Sequence, residues 1–132
     1  MHCLTYFVLF QDGGASAEDT SMTQATINSR DVLKINLAVT KPNSSITWSF
    51  LTQNHDIGFQ LVFENQKVVV PFRRVQSHKE IQEGTHPCHS LGTYTVIFDN
   101  SYSLARSKTI SFNLFVIEPE EVNSNVTSGV VL

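Results

Sequence analysis

The stretch Gly92-Thr93-Tyr94-Thr95-Val96-Ile97-Phe98-Asp99-Asn100-Ser101-Tyr102-Ser103-Leu104-Ala105-Arg106-Ser107-Lys108 decides the fold class. Tyr94, Val96 and Phe98 recur with period two, which places their side chains on one face of a strand. Asp99, Asn100 and Ser101 then supply short polar side chains that bond neighbouring backbone and tolerate tight geometry, so the chain reverses there. Ile110, Phe112, Leu114 and Val116 resume the period-two pattern. The whole reads as a β-hairpin with a polar corner.

The same period extends outward. Leu33, Ile35, Leu37 and Val39 alternate with more polar neighbours, and Lys41-Pro42-Asn43-Ser44 is turn chemistry. Ile46, Trp48 and Phe50 continue the alternation, so this segment reads as a second hairpin whose returning strand carries the single tryptophan. Ile57, Phe59, Leu61 and Phe63 form the strongest alternating run. Glu64-Asn65-Gln66 separates it from Lys67-Val68-Val69-Val70-Pro71-Phe72, a short strand ended by proline, which lacks a ladder donor. Residues 73 to 90 are polar and read as a strand end followed by a long loop. With no amphipathic helix and no alternation of strands with helices, the expected fold is all-β: an antiparallel β-sandwich of about seven to eight strands with flexible termini.

Composition bounds the rest. The 132 residues are enough for one domain with a self-sufficient core, and 41% hydrophobic with 16% charged residues is globular. The formal net charge of -3 argues against nucleic acid as a partner. Residues 1–28 are expected to be an N-terminal arm or linker, 29–118 the sandwich, and 119–132 a solvated C-terminal tail. The apolar run Leu4 to Phe10 is too short to span a bilayer, which takes about 20 residues. It lacks the basic start of a signal peptide and reads as an edge strand or the remnant of a preceding domain. Cys3 and Cys88 show no disulfide-framework spacing, which is the usage of a reducing compartment.

Several pieces, taken in order, resemble the GOLD (Golgi dynamics) domain family: Ile46-Thr47-Trp48-Ser49-Phe50, Asp56-Ile57-Gly58-Phe59, Val69-Val70-Pro71-Phe72-Arg73-Arg74, Ser77-His78-Lys79-Glu80, Gly92-Thr93-Tyr94, Phe98-Asp99-Asn100-Ser101-Tyr102-Ser103 and Arg106-Ser107-Lys108. The resemblance runs from Val32 to Ile117. It is nearest the cytosolic branch, which comprises Golgi acyl-CoA-binding adaptors, CRAL-TRIO lipid-transfer proteins and FYVE–coiled-coil adaptors. It implies that Trp48, Asp56, Gly58, Phe59, Pro71, His78, Gly92, Tyr94, Phe98, Asp99, Asn100, Tyr102 and Ser103 are family-motif structural residues. It further implies a non-catalytic protein-interaction module, an adaptor in Golgi or endosomal membrane trafficking that is cytoplasmic or peripheral on those membranes. The alternative is an accessory domain of a lipid-binding or lipid-transfer protein. The chain is then a free-standing module or a fragment of a longer product.

Two constellations merit chemical weighing. Arg73, Arg74, Arg106 and Lys108 fall near the ends of two expected strands and are the candidate interaction surface, a basic patch for a protein partner of the trafficking machinery or a phosphoinositide headgroup. His86-Pro87-Cys88-His89 crowds three potential zinc ligands into four residues, with His78 nearby. Zinc sites commonly use two spaced pairs, and no second pair exists, so no metal or cofactor is expected. No phosphate-binding glycine loop, zinc-protease helix or nucleophile elbow is present, and no catalytic residues are assigned.

Overall fold

Period-two alternation makes strands, and in the computed structural model, which describes residues 3–8 and 22–120, nine of them form. They are β1 Cys3–Val8, β2 Thr23–Ile27, β3 Val32–Val39, β4 Ser45–Thr52, β5 Ile57–Phe63, β6 Lys67–Val75, β7 Gln82–Pro87, β8 Gly92–Asp99 and β9 Lys108–Ile117. One sheet has the order β1-β3-β8-β5-β6 and the other β2-β9-β4-β7. Every pairing is antiparallel except β1 with β3, which runs parallel from Cys3 opposite Val32 to Val8 opposite Leu37. Residues 1–2 and 9–21 of the expected arm 1–28, and residues 121–132 of the expected tail 119–132, lie outside the described residues.

The inward face of each strand is the one alternation predicts. Leu33, Ile35, Leu37 and Val39 of β3, Ile57, Phe59 and Leu61 of β5, and Tyr94, Val96 and Phe98 of β8 are buried against Ile46 and Phe50 of β4 and Ile110, Phe112, Leu114 and Val116 of β9. Aromatic rings bridge the two sheets. Phe50 lies 5.0 Å from both Phe59 and Phe98, and Phe98 lies 5.5 Å from Phe112, at tilted, stacked and edge-on geometries that ring quadrupoles favour.

Strand partners differ from expectation. The run from Gly92 to Val116 is not a hairpin: β8 pairs with β3 and β5, whereas β9 pairs with β2 and β4 in the opposite sheet. The eight residues between Asp99 and Lys108 carry the chain across the sandwich rather than back along itself. The β3–β4 connection does the same, with Asn43 at φ 65° and Ser44 Oγ donating to Lys41 O. The hairpin lies instead between β5 and β6, turning at Glu64 and Asn65, both at positive φ. β6 also continues through Pro71 to Val75, because register shifts on this edge strand accommodate a residue without an N–H. Two segments expected to be irregular are strands: Thr23–Ile27, within the expected arm, pairs with β9, and Gln82–Pro87, within the expected loop, pairs with β4.

Trp48 faces inward, 5.1 Å from Phe59, yet it is only half-buried. It stands opposite Gly84 of edge strand β7, whose missing side chain leaves room for the indole: a Cβ there would fall 2.4 Å from the ring. The indole borders an open groove of about 440 Å³ lined with Thr47, Ser49, Thr85 and Asn113. Trp48→Ala is therefore expected to destabilise by about 2 kcal/mol, below the ~3–5 kcal/mol of a fully buried aromatic. A denaturant titration reads this directly, and a loss above about 4 kcal/mol would show that the groove is closed in solution.

A cation-rimmed pocket around Asp56

Three connections meet at one end of the sandwich: the β4–β5 turn, the end of β6, and the crossover between β8 and β9. Between them lies a polar pocket of about 410 Å³, lined by His55, Asp56, Arg74, Gln76, His78, Tyr102, Ser103, Arg106 and Lys108. Each lining residue has a local reason for its place. His55 takes φ 69° at the β4–β5 turn, where its carbonyl accepts a 2.7 Å bond from the buried Thr52 hydroxyl. Asp56 follows immediately, one residue before β5. Arg74 is opposite Gly58 in the β5–β6 register and so emerges on the outer face, while Arg73 falls opposite Phe59 on the alternate parity. Lys108 is the first residue of β9 and shares the inward parity of Ile110 and Phe112.

Asp56 is the hub. Its carboxylate accepts from Arg74 Nε at 3.0 Å and from the Tyr102 hydroxyl at 2.8 Å, and Lys108 Nζ lies 3.8 Å away. Its carbonyl accepts from Lys108 Nζ at 2.8 Å and from Tyr102 at 3.2 Å. The Arg74 guanidinium also stacks over the Tyr102 ring at 4.0 Å, and Lys108 Nζ sits 4.8 Å from the same ring. Burial alone would raise the Asp56 carboxyl, but bonds from Tyr102 and Arg74 and the charges of Arg74 and Lys108 outweigh it, so its pKa lies below the ordinary carboxylate value. Burial, reinforced by the adjacent carboxylate, pushes the Tyr102 phenol well above its ordinary value. Burial lowers the Lys108 ammonium, with Asp56 opposing and Arg74 and Arg106 adding to the effect. Desolvation, then the charges of Arg106, Lys108 and His78, pull the His55 imidazole down.

The crossover that carries Tyr102, Ser103 and Arg106 is anchored by Asn100. Its side-chain amide donates to the carbonyls of Ile27 at 3.1 Å, Asn28 at 3.1 Å and Arg106 at 2.8 Å, and the residue is fully buried. Asp99 makes the local bond expected of it, accepting from Ser101 N at 2.7 Å. Ser103 Oγ closes the loop by accepting from Arg106 N and donating to Arg106 O, each at 3.1 Å. Arg106 Nη1 is directed at His55 Nδ1, 3.1 Å away, and Leu104 stands at the loop tip, 74% exposed.

Of the residues singled out from sequence, the structure gathers Asp56, His78, Tyr102, Ser103, Arg74, Arg106 and Lys108 in one pocket. Lys108 is a correction to the basic-surface expectation. It is buried, at 3% exposure, and belongs to the pocket floor rather than to an open patch. Arg73 is exposed but does not line the pocket. Phe59, Tyr94 and Phe98 are core residues, Gly58 lies beneath Phe72, Pro71 sits among the β6 register shifts, and Gly92 takes φ 147° at the start of β8. His55 and Gln76 were not anticipated. His55 reads in sequence as turn chemistry, and nothing in its neighbours reveals that the turn abuts the crossover. Of the four residues weighed as zinc ligands, His78 lines this pocket, whereas His86, with His89 near it, faces Tyr94 at 6.0 Å, and Cys88 is buried, its thiol raised by burial. Among the described residues no group of three His, Cys, Asp or Glu is placed to hold a metal ion, and no helix is long and apolar enough to cross a membrane.

The class the fold defines is the two-sheet β-sandwich. Two solved structures share the architecture: the periplasmic lysozyme inhibitor PliG of Aeromonas hydrophila (TM-score 0.55, 10% identity, covering 87% of this chain and 99% of that one) and the pre-peptidase C-terminal domain of Bacillus anthracis collagenase (TM-score 0.54, 12% identity, 86% and 97%). These establish the fold alone. A family model described as Golgi-dynamics membrane-trafficking matches residues 64–117. Mouse FYVE and coiled-coil domain-containing protein 1 is 33% identical over 93 residues, covering 64% of this chain and 6% of that protein. Human Golgi resident protein GCP60 is 26% identical over 130 aligned residues (68% and 25%), and human protein TMED8 is 45% identical over 47 residues (36% and 14%). Together these matches support a GOLD domain in the chain, as the sequence resemblance implied. The chain spans a quarter or less of the length of these relatives.

Proposed function

We propose that this GOLD domain is a non-catalytic protein-interaction module, an adaptor in Golgi or endosomal membrane trafficking, and that it docks its partner at the Asp56 pocket. The relatives associate the domain with Golgi-related and trafficking proteins. The observation that carries the docking reading is how the pocket uses its polar groups. Asp56, Tyr102, Lys108 and Arg74 are committed to one another, and the downward shift of Asp56 and upward shift of Tyr102 favour the ionised carboxylate and the neutral phenol. Groups locked in that way present a rigid polar surface; they are poorly suited to passing protons, which needs a pKa near the working pH. Arg106, by contrast, stands exposed on the rim with no carboxylate partner among the described residues.

The test uses Arg73→Glu/Arg106→Glu, both exposed and neither bonded to Asp56. The fold should be retained, because exposed charges are each worth under about 1 kcal/mol. Recruitment of the tagged chain to Golgi or endosomal membranes in cells should be lost. A double variant that localises like the parent would place the docking face elsewhere, and a parent that stays diffuse would remove the adaptor reading itself.

A further inference from the structure

We infer that the Asp56 pocket receives a phosphate monoester, carried on a phosphorylated serine or threonine of the docking partner. The inference rests on the adaptor reading above and specifies what the partner must present. Two guanidiniums, Arg74 and Arg106, and the Lys108 amine line the pocket with the single carboxylate of Asp56, so its basic side chains outnumber its acidic ones by two before either histidine is counted. A single peptide carboxylate would neutralise half of that excess. A phosphate monoester, with a charge of about -1.5 to -2 at neutral pH, matches it.

Donor geometry favours the same group. Arg74 spends Nε and Nη2 on Asp56, and Arg106 directs Nη1 at His55, so each guanidinium keeps further N–H donors unspent. The two come from different parts of the fold, one from β6 and one from the crossover loop, and Gln76 and Ser103 add neutral polar groups to the lining. Planar guanidinium forks of this kind are the preferred partners of phosphate oxygens. His78 also contributes a buried Nδ1 with no hydrogen-bond partner. The cavity, at about 410 Å³, has room for a phosphate and the side chain that bears it.

A peptide fits better than a membrane as the bearer. Lipid-surface recognition draws on clusters of about four to eight basic residues, whereas the exposed cations lining this pocket are Arg74 and Arg106, on a chain of net charge -3. Leu104, two residues from Arg106 at the loop tip, offers an apolar contact to a residue flanking the phosphoamino acid.

The decisive measurement is a titration of the full 132-residue chain, followed by NMR, with N-acetyl-phosphoserine amide, its unphosphorylated form, N-acetyl-aspartate amide and inorganic phosphate. Millimolar phosphoserine is expected to shift the signals of His55, Arg74, His78, Tyr102 and Arg106, and inorganic phosphate the same set more weakly. The unphosphorylated form should shift none, and Arg106→Gln should weaken binding by about tenfold or more, the scale of one lost charge-assisted contact. Co-sedimentation with vesicles containing phosphatidylinositol 4-phosphate should not depend on Arg106. Phosphoserine that leaves these signals unmoved would overturn the inference while leaving the cellular recruitment test of the adaptor reading standing. Equal binding of the aspartate compound would replace phosphate with carboxylate. Arg106-dependent binding to vesicles without binding to phosphoserine would replace the peptide with a membrane.

Discussion

Lys108→Glu is expected to abolish cooperative folding or to lower stability by at least about 4 kcal/mol. The ammonium is buried and bonded to Asp56 O and the Tyr102 hydroxyl, with the Asp56 carboxylate 3.8 Å away. Reversing its sign sets two carboxylates together, one of them on an almost wholly buried side chain, and breaking a buried pair in this way costs about 3–5 kcal/mol even without the added repulsion. Lys108→Met separates the contributions. It keeps the length of the side chain and removes the charge, while Asp56 retains Arg74 and Tyr102. A loss of about 1–3 kcal/mol is expected for it, since Asp56 remains partly compensated. Urea denaturation of the two variants gives both numbers. If Lys108→Glu unfolds within about 0.5 kcal/mol of the parent, Lys108 is solvated and the pocket floor described here is wrong.

The position of Lys108 also shows where sequence reasoning succeeds and where it stops. Strand faces are legible because a period of two is a local property: Val96 and Phe98 or Ile110 and Phe112 declare a common face whatever strand lies beside them. Applied strictly, the same rule places Lys108 inward with Ile110. Its charge suggests a surface residue, and only the counter-charge of Asp56, 52 positions away, makes burial tolerable. Strand partners are non-local. A turn of polar residues is compatible equally with a hairpin and with a crossing to the other sheet, which is why the chain from β8 to β9 and from β3 to β4 reads as hairpins and folds as crossovers.

β7 is invisible for a different reason. Gln82-Glu83-Gly84-Thr85-His86-Pro87 has no apolar face of its own, and its strand state is imposed by pairing with β4 across Trp48. The pocket itself is not legible in the sequence, where Arg74, Arg106 and Lys108 read as a basic patch near two strand ends and the family resemblance marks Asp56, His78, Tyr102 and Ser103 only as structural residues. Asp56, His78 and the pair Tyr102 and Ser103 lie in three separate connections, and no spacing rule links positions that the fold alone brings together.

Asn100→Ala is expected to cost about 2–4 kcal/mol, more than a corner residue in a solvated turn would. In sequence Asn100 is one of three residues suited to local capping. In the structure it is fully buried, and its amide ties the carbonyls of Ile27 and Asn28, at the β2–β3 turn, to that of Arg106 in the crossover. Its own backbone adds bonds from Asn100 N to Asp31 O at 2.9 Å and from Arg30 N to Asn100 O at 3.1 Å. Truncation would leave donor-less carbonyls in a desolvated corner, each worth about 1–3 kcal/mol. Asn100→Asp provides the control, because it keeps the size and removes the donor. A carboxylate facing those carbonyls should destabilise at least as much as alanine does, with the penalty easing as acid protonates it and restores an O–H donor. If the corner is instead solvated, Asn100→Asp should match the parent at neutral pH and the alanine variant should lose less than about 1 kcal/mol, and the Asn100 bonds would then not be what holds Arg106 beside the pocket.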